Sequence, residues 1–128
     1  MLSLIIPCYN EEGAIEDIVK RCDAVLRDED EIIVVNDGST DGTSEILNNM
    51  NIERLRVVSH KKNTGNGASI MTGLSNARGE WIATIDADEF EKLMVEDLEI
   101  RHFGNSVLRN ELMQKVQKEI ALASLKGK

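Results

Sequence analysis

Aromatic residues are nearly missing from this sequence, with one Trp, one Tyr and two Phe in 128 residues. Its core therefore has to be built from Ile, Leu, Val, Met and Ala, within an apolar content of 41%. The single Pro and that apolar share argue for a folded globular chain, and the length suits one domain with a real core. Basic residues form no long run, and the net charge is −8. Such a chain is a poor nucleic-acid binder, because neutralising phosphates takes clustered Lys and Arg. A phosphate ligand would have to arrive with a cation or be held by backbone N–H groups. Cys8 and Cys22 form no close-spaced metal motif and read as free, partly buried thiols of a reducing compartment. No stretch approaches the roughly 18 apolar residues of a membrane span, and the first strand begins at Leu2 with no signal peptide ahead of it. The expected location is the cytoplasm, with peripheral attachment to a membrane left open.

What is present alternates between two periods. "LSLIIP" is an apolar strand that should stop at Pro7, where a donor is lost. Ile15, Ile18, Val19, Cys22, Val25 and Leu26 then recur at helical spacing among charged residues. "EIIVVND" has four consecutive apolar residues, Ile32 to Val35, as a strand buried on both faces would. "GSTDGTSEILNNM" reads as a turn and a helix, with Ser39, Thr40 and Asp41 as cap candidates and Ile46, Leu47 and Met50 on the inner face. "RLRVVSH" is a third strand. Ile70, Met71, Leu74 and Ala77 mark a third helix that Gly79 should terminate. "EWIATIDAD" is the fourth strand. Strand and helix in turn over 86 residues predict an open, mostly parallel α/β sheet with helices on its faces. Beyond Asp88, Phe90, Leu93, Met94 and Leu98 suggest a short helix, "LEIRHF" a short strand, and residues 106–125 a long amphipathic helix. That last helix could pack on the sheet or pair with a second chain as a homodimer.

In such sheets ligands bind beyond the carboxyl ends of the strands. The loops there are "PCYNEE", "NDGSTDG", "SHKKNTGNG" and "DADEF", and every polar cluster of interest falls on them. Asp86 and Asp88, two residues apart in an extended chain, point to one side. Such a pair suits Mg²⁺, which takes carboxylate oxygens and keeps substrate phosphates as further ligands. It could equally cap a surface turn. Asp37, past a buried strand, can accept hydrogen bonds from a nucleobase or ribose, or can form a plain Asx turn. "NTGNGAS" offers backbone N–H groups to an anion. It is not a dinucleotide fingerprint, whose third glycine would stand where Ile70 does, and no P-loop motif is present. His60 and His102 are isolated and read as surface residues.

With these pieces placed, "SLIIPCYNEE" (3–12), "IIVVNDGSTDGT" (32–43) and "NTGNGASIMTGLSNARGEWIATIDAD" (63–88) resemble, in order and spacing, the nucleotide-binding half of family-2 glycosyltransferases of the GT-A fold. Dolichyl-phosphate sugar synthases are similar members. The resemblance implies that Pro7, Tyr9 and Glu11 line a nucleotide pocket and that Asp37 binds base or ribose. It implies that Asp86 and Asp88 are a D-x-D motif, contacting ribose and the Mg²⁺ or Mn²⁺ on a sugar diphosphate. The implied reaction is transfer of a sugar from UDP- or GDP-sugar, with inversion, to an acceptor that the sequence does not name and that could be lipid-linked.

The chain also departs from the family. Its members continue well past D-x-D to build the acceptor site and supply the base, whereas only 40 residues remain here. "MVEDLEIR" (94–101) resembles the later Glu-Asp motif, which makes Asp97 the candidate base, yet it stands close to D-x-D and also reads as an ordinary helical turn. A base must come within about 3 Å of the acceptor hydroxyl or reach it through one water. The expected organisation is a nucleotide-sugar-binding unit over 1–88 and a C-terminal extension of the same domain over 89–128. Two functions are open: a glycosyltransferase with a truncated acceptor half, and a nucleotide-sugar-binding module that lacks catalysis. A nicotinamide-binding domain is a third, disfavoured by Ile70.

Overall fold

The computed structural model describes residues 1–85 and the strand at 99–102. Eight elements follow in order: β1 (Leu2–Cys8), α1 (Ile15–Val25), β2 (Glu31–Asp37), α2 (Thr43–Asn49), β3 (Leu55–His60), α3 (Asn66–Asn76), β4 (Trp81–Thr84) and β5 (Glu99–His102). They form one sheet in the order β3-β2-β1-β4-β5, parallel throughout except for β5, which runs antiparallel to β4. The open α/β sheet expected from the alternation is present, and "LEIRHF" does contain a strand. The expected short helix before it and the long helix over 106–125 lie outside the described residues.

Alternation along the central strands sorts the core into two layers. Leu2, Leu4, Ile6 and Cys8 of β1, with Ile32 and Val34 of β2, pack with the inner faces of α1 and α2. Ile5, Ile33, Val35 and Ile82 face the other way, toward Leu74 and Ala77 at the end of α3. Both β1 and β2 are buried along their whole length, as expected for strands covered on both sides. Among the described residues Trp81 is the one aromatic ring in these layers, consistent with a core of branched aliphatic side chains.

Several local expectations need correction. β1 does not stop at Pro7 but runs on to Cys8. Pro7 alternates with Ile5, whose carbonyl faces the β4 side and accepts the Ile85 N–H at 3.0 Å. The β1–β4 register ends at Ile5 and Thr84, so the donor that Pro7 lacks is not needed by that ladder. In α2 no side chain caps the helix from the N-cap position, Gly42. Of the three cap candidates, Asp41 does bond the start of the helix, accepting from the Thr43 N–H at 2.9 Å in an Asx turn one residue earlier.

Of the apolar residues expected on the inner face of α3, Leu74 and Ala77 do pack on the sheet, though they are only partly buried. Ser69 and Gly73 are its buried residues, while Met71 is exposed. A Cβ at Gly73 would lie 2.4 Å from Ile5 Cγ2, so the missing side chain lets the helix press onto β1. Gly79 does not end α3, which stops at Asn76. A Cβ there would lie 2.6 Å from the Met1 carbonyl oxygen, so Gly79 is needed where the chain passes the start of β1.

That passage is fastened by a polar cluster at the amino ends of the strands. The Glu31 carboxylate accepts from the Ser3 hydroxyl at 2.6 Å, the Arg78 N–H at 2.7 Å and the Arg56 guanidinium at 2.7 Å. Ser3 Oγ accepts the Gly79 N–H at 2.8 Å, and Arg56 donates to the Asn76 carbonyl at 2.8 Å. Burial disfavours the charge on Glu31, but these donors outweigh it and hold its pKa below the ordinary value.

The fit between α3 and β1 makes a direct prediction. Gly73→Ala should destabilise the domain by about 1–3 kcal/mol in urea unfolding, the usual range for overpacking. Adding Ile5→Ala, which clears the same space, should make the cost of the Gly73 change much smaller than in the wild-type background.

Candidate functional site

The carboxyl ends of the strands carry three loops that are bound to one another. After β1 the chain turns through Asn10, at φ 53°. The Asn10 N–H donates to Ser39 Oγ at 3.0 Å, and its side-chain oxygen accepts from the Thr40 N–H at 2.8 Å. The Glu11 N–H donates to Thr43 Oγ1 at 2.9 Å, and Glu12 Oε2 accepts the Gly42 N–H at 2.8 Å. The β1–α1 loop is thereby pinned to the β2–α2 loop. Gly38, at φ +73°, holds the third loop close: a Cβ there would lie 2.3 Å from the backbone carbon of Lys62.

Asp37 joins the β2 end to the β3–α3 loop. It is 4% exposed. Its Oδ1 accepts from His60 Nδ1 at 2.8 Å, the Thr64 N–H at 2.9 Å and the Thr64 hydroxyl at 2.7 Å. Its Oδ2 accepts from the Gly65 N–H at 2.8 Å. Gly65 can present that N–H because it adopts φ +102°, a conformation open to glycine. His60 lies directly opposite Asp37 in the β2–β3 register, and its Nε2 meets Thr72 Oγ1 of α3 at 2.8 Å. Burial opposes the Asp37 charge, but the hydrogen bonds from His60, Thr64 and Gly65 outweigh it and push its pKa far below the usual carboxylate range.

These loops enclose a cleft of about 260 Å³ lined by Pro7, Cys8, Tyr9, Asp37, Asn63, Asn66 and Ser69. Of the residues singled out in the sequence, Pro7, Tyr9 and Asp37 therefore come together. Glu11 is not among the lining residues, and its backbone serves the loop lock instead. Asp86, Asp88 and Asp97 lie outside the described residues, as does the side chain of His102. His60 is not the isolated surface residue expected, since its side chain is only 18% exposed and touches Asp37, Thr64 and Thr72. Asn63, Asn66 and Ser69, which also line the cleft, all belong to the "NTGNGAS" loop, whose sequence signal is the glycines rather than these side chains. Cys8 and Cys22 are free and buried, as expected. Burial, with Asp23 adding to it, pushes the Cys22 thiol up to about 12, so it stays protonated.

The cleft is chemically suited to a nucleoside. It has a proline and a tyrosine ring as walls, amides and one carboxylate as hydrogen-bonding groups, and the start of α3 at its edge. It is not by itself a cation site: Asp37 is committed to the loop, and among the described residues no three His, Cys, Asp or Glu gather to hold a metal. Asp86 and Asp88, the pair that the sequence marks for a cation, follow Ile85 in the chain and lie outside the described residues.

An open, mostly parallel sheet with its cleft at the carboxyl edge defines a GT-A-type α/β domain, and the solved structures that it matches are of that type. The chain belongs to glycosyl transferase family 2, whose model matches residues 3–95. A dolichyl-phosphate beta-glucosyltransferase of Trichomonas vaginalis is 36% identical over 107 residues, covering 71% of this chain and 32% of that protein. Residues 1–349 of S. aureus TarS in complex with UDP-GlcNAc superpose with a TM-score of 0.63 at 32% identity, over 68% of this chain and 26% of that one. A mannosyltransferase of Pyrobaculum calidifontis in complex with GDP-Man and Mn²⁺ superposes with a TM-score of 0.61 at 30% identity, over 68% of this chain and 27% of that one. The chain thus spans about a third or less of the length of these relatives. Among the described residues no helix is long and apolar enough to cross a membrane.

The depressed pKa of Asp37 fixes the sign of an acid effect. Above its ordinary value of 3.8 the carboxylate is charged in both native and unfolded chains, and its contribution to stability is constant. Below that value the unfolded chain takes up a proton that the native site resists, so stability falls as the pH drops toward the native pKa. Asp37→Asn should cost about 1–3 kcal/mol at neutral pH, because an amide cannot accept from all of these donors. Its urea-unfolding stability should then fall less steeply than that of the wild type below about pH 4.

Proposed function

We propose that this chain binds a nucleoside-diphosphate sugar through a divalent cation and carries the donor half of a glycosyl-transfer reaction. The observation that carries the proposal is the cleft at the carboxyl edge, where Pro7, Tyr9 and Asp37 converge from two loops. Pro7 and Tyr9 give the base a rigid wall, and Asp37 accepts a hydrogen bond from base or ribose. At about 260 Å³ the cleft suits the nucleoside rather than the whole donor. Asp86 and Asp88, next in the chain after Ile85, would hold Mg²⁺ or Mn²⁺ on the diphosphate. A cation held there neutralises the diphosphate and stabilises it as a leaving group. The UDP-GlcNAc and GDP-Man complexes of the relatives support a donor of this class, and the Mn²⁺ of the second supports the metal.

On this reading residues 1–88 hold the donor and 89–128 extend the same domain. For a hydroxyl acceptor Asp97 would be the candidate base, taking the proton as the oxygen attacks the anomeric carbon with inversion and the nucleoside diphosphate leaves; a phosphate acceptor would attack as its oxyanion and need no base. The dolichyl-phosphate specificity in the name of the Trichomonas relative makes a lipid phosphate the first acceptor to try. The alternative reading is a module that binds the donor without turning it over.

UDP or GDP with Mn²⁺ should raise the melting temperature, with stabilisation of about 2.7 kcal/mol at a ligand concentration about 100 times Kd. Asp88→Ala should remove the metal-dependent part of that shift. No shift with either nucleotide would contradict donor binding. Release of free UDP or GDP from a nucleotide sugar, with or without a polyprenyl phosphate, would separate the transferase from the binding module.

A further inference from the structure

The donors around Asp37 are divided unevenly between its oxygens. Oδ1 meets three, from His60 Nδ1, the Thr64 N–H and the Thr64 hydroxyl, and Oδ2 meets one, from the Gly65 N–H. A carboxylate has about four lone-pair sites, two on each oxygen. Oδ1 is therefore closed to a ligand and Oδ2 has one site left. The closing groups are themselves held. Thr72 braces His60 from its far side at 2.8 Å, and the close pass of Gly38 against Lys62 fixes the loop that carries Thr64. Asp37 does line the cleft, so the remaining site is available to whatever enters it.

We propose that His60 and Thr64 are specificity-determining residues. By saturating Oδ1 they leave Asp37 able to accept a single N–H, which selects the uracil edge over the guanine edge. This inference rests on the reading of the cleft as the nucleoside site. Uracil presents one N–H between two carbonyls. Guanine presents two adjacent N–H groups that call for both oxygens of a carboxylate, and with Oδ1 closed one of them stays unpaired on binding. The carbonyls of uracil can accept from the side-chain amides of Asn63 and Asn66, which line the same cleft. The cleft, at about 260 Å³, is also smaller than the roughly 300–1,000 Å³ of most ligand pockets, which suits a single-ring base. Neither His60 nor Thr64 need touch the nucleotide; both act through Asp37.

Titration of the full chain with UDP and with GDP, each with Mn²⁺, tests this. UDP should bind about tenfold tighter or more, which is the order expected when one buried donor is left unpaired. The single variants His60→Leu and Thr64→Val each leave two donors on Oδ1 and should keep the preference. The double variant opens one site and should bring the UDP-to-GDP ratio close to unity, while His60→Leu with Thr64→Ser keeps the hydroxyl and should restore it. Circular dichroism shows which variants fold, and the wild-type ratio decides even if the double variant does not. GDP binding as tightly as UDP, or a folded double variant with an unchanged ratio, would overturn the inference alone. Binding of neither nucleotide by the wild type would instead overturn the donor-site reading beneath it.

Discussion

The grip of one buried carboxylate on a loop of another strand shapes the edge where this protein's cleft lies. Asp37 ends β2, and its side chain accepts hydrogen bonds from His60 at the β3 end and from Thr64 and Gly65 in the loop before α3. Without that charge the Thr64 and Gly65 N–H groups would face each other's positive ends with no acceptor between them. With those N–H groups gathered on Asp37, their neighbours Asn63 and Asn66 line the cleft. The cost of burying the carboxylate is offset by its donors, as it must be for any charge so far from water.

The same strand repeats the device at its other end. Glu31, Ile33, Val35 and Asp37 alternate along the face of β2 that α3 covers, a carboxylate at each end and aliphatic residues between. Glu31 takes the Arg78 N–H just beyond α3, and Asp37 takes the Thr64 and Gly65 N–H groups just before it. Gly73, between them, lets the helix settle onto Ile5. The crossover from β3 to β4 is therefore tied at its start, its middle and its finish. This rigid crossover presents one end to the cleft, so the geometry of the site follows from how α3 is mounted.

Much of this was legible in the sequence. Alternating strand and helix periods gave the parallel sheet, and the convergence of polar loops on one edge placed the cleft, with Pro7, Tyr9 and Asp37 among its lining. What stayed hidden was pairing at long separation. Asp37 and His60 are 23 residues apart, and Arg78 meets Glu31 across 47. No local period carries such pairs, so His60 read as a lone histidine. α3 was legible in part: Leu74 and Ala77 pack inward as their spacing suggests, but the residues nearest the sheet are small, Ser69 and Gly73, and Met71 is exposed. Glu11 was placed by resemblance, and the described cleft uses its neighbours.

Membership of glycosyl transferase family 2 and the geometry of the carboxyl edge make one central claim, that the loop lock around Asp37 is where the donor nucleotide sits. Backbone amide chemical shifts of the labelled chain, titrated with UDP and Mg²⁺, test it most directly. The account predicts shifts concentrated at Tyr9, Gly38 and the 63–69 loop, with Ser3, Glu31 and Arg78 at the opposite edge unmoved. Shifts centred on that opposite edge, or none at saturating nucleotide, would contradict it.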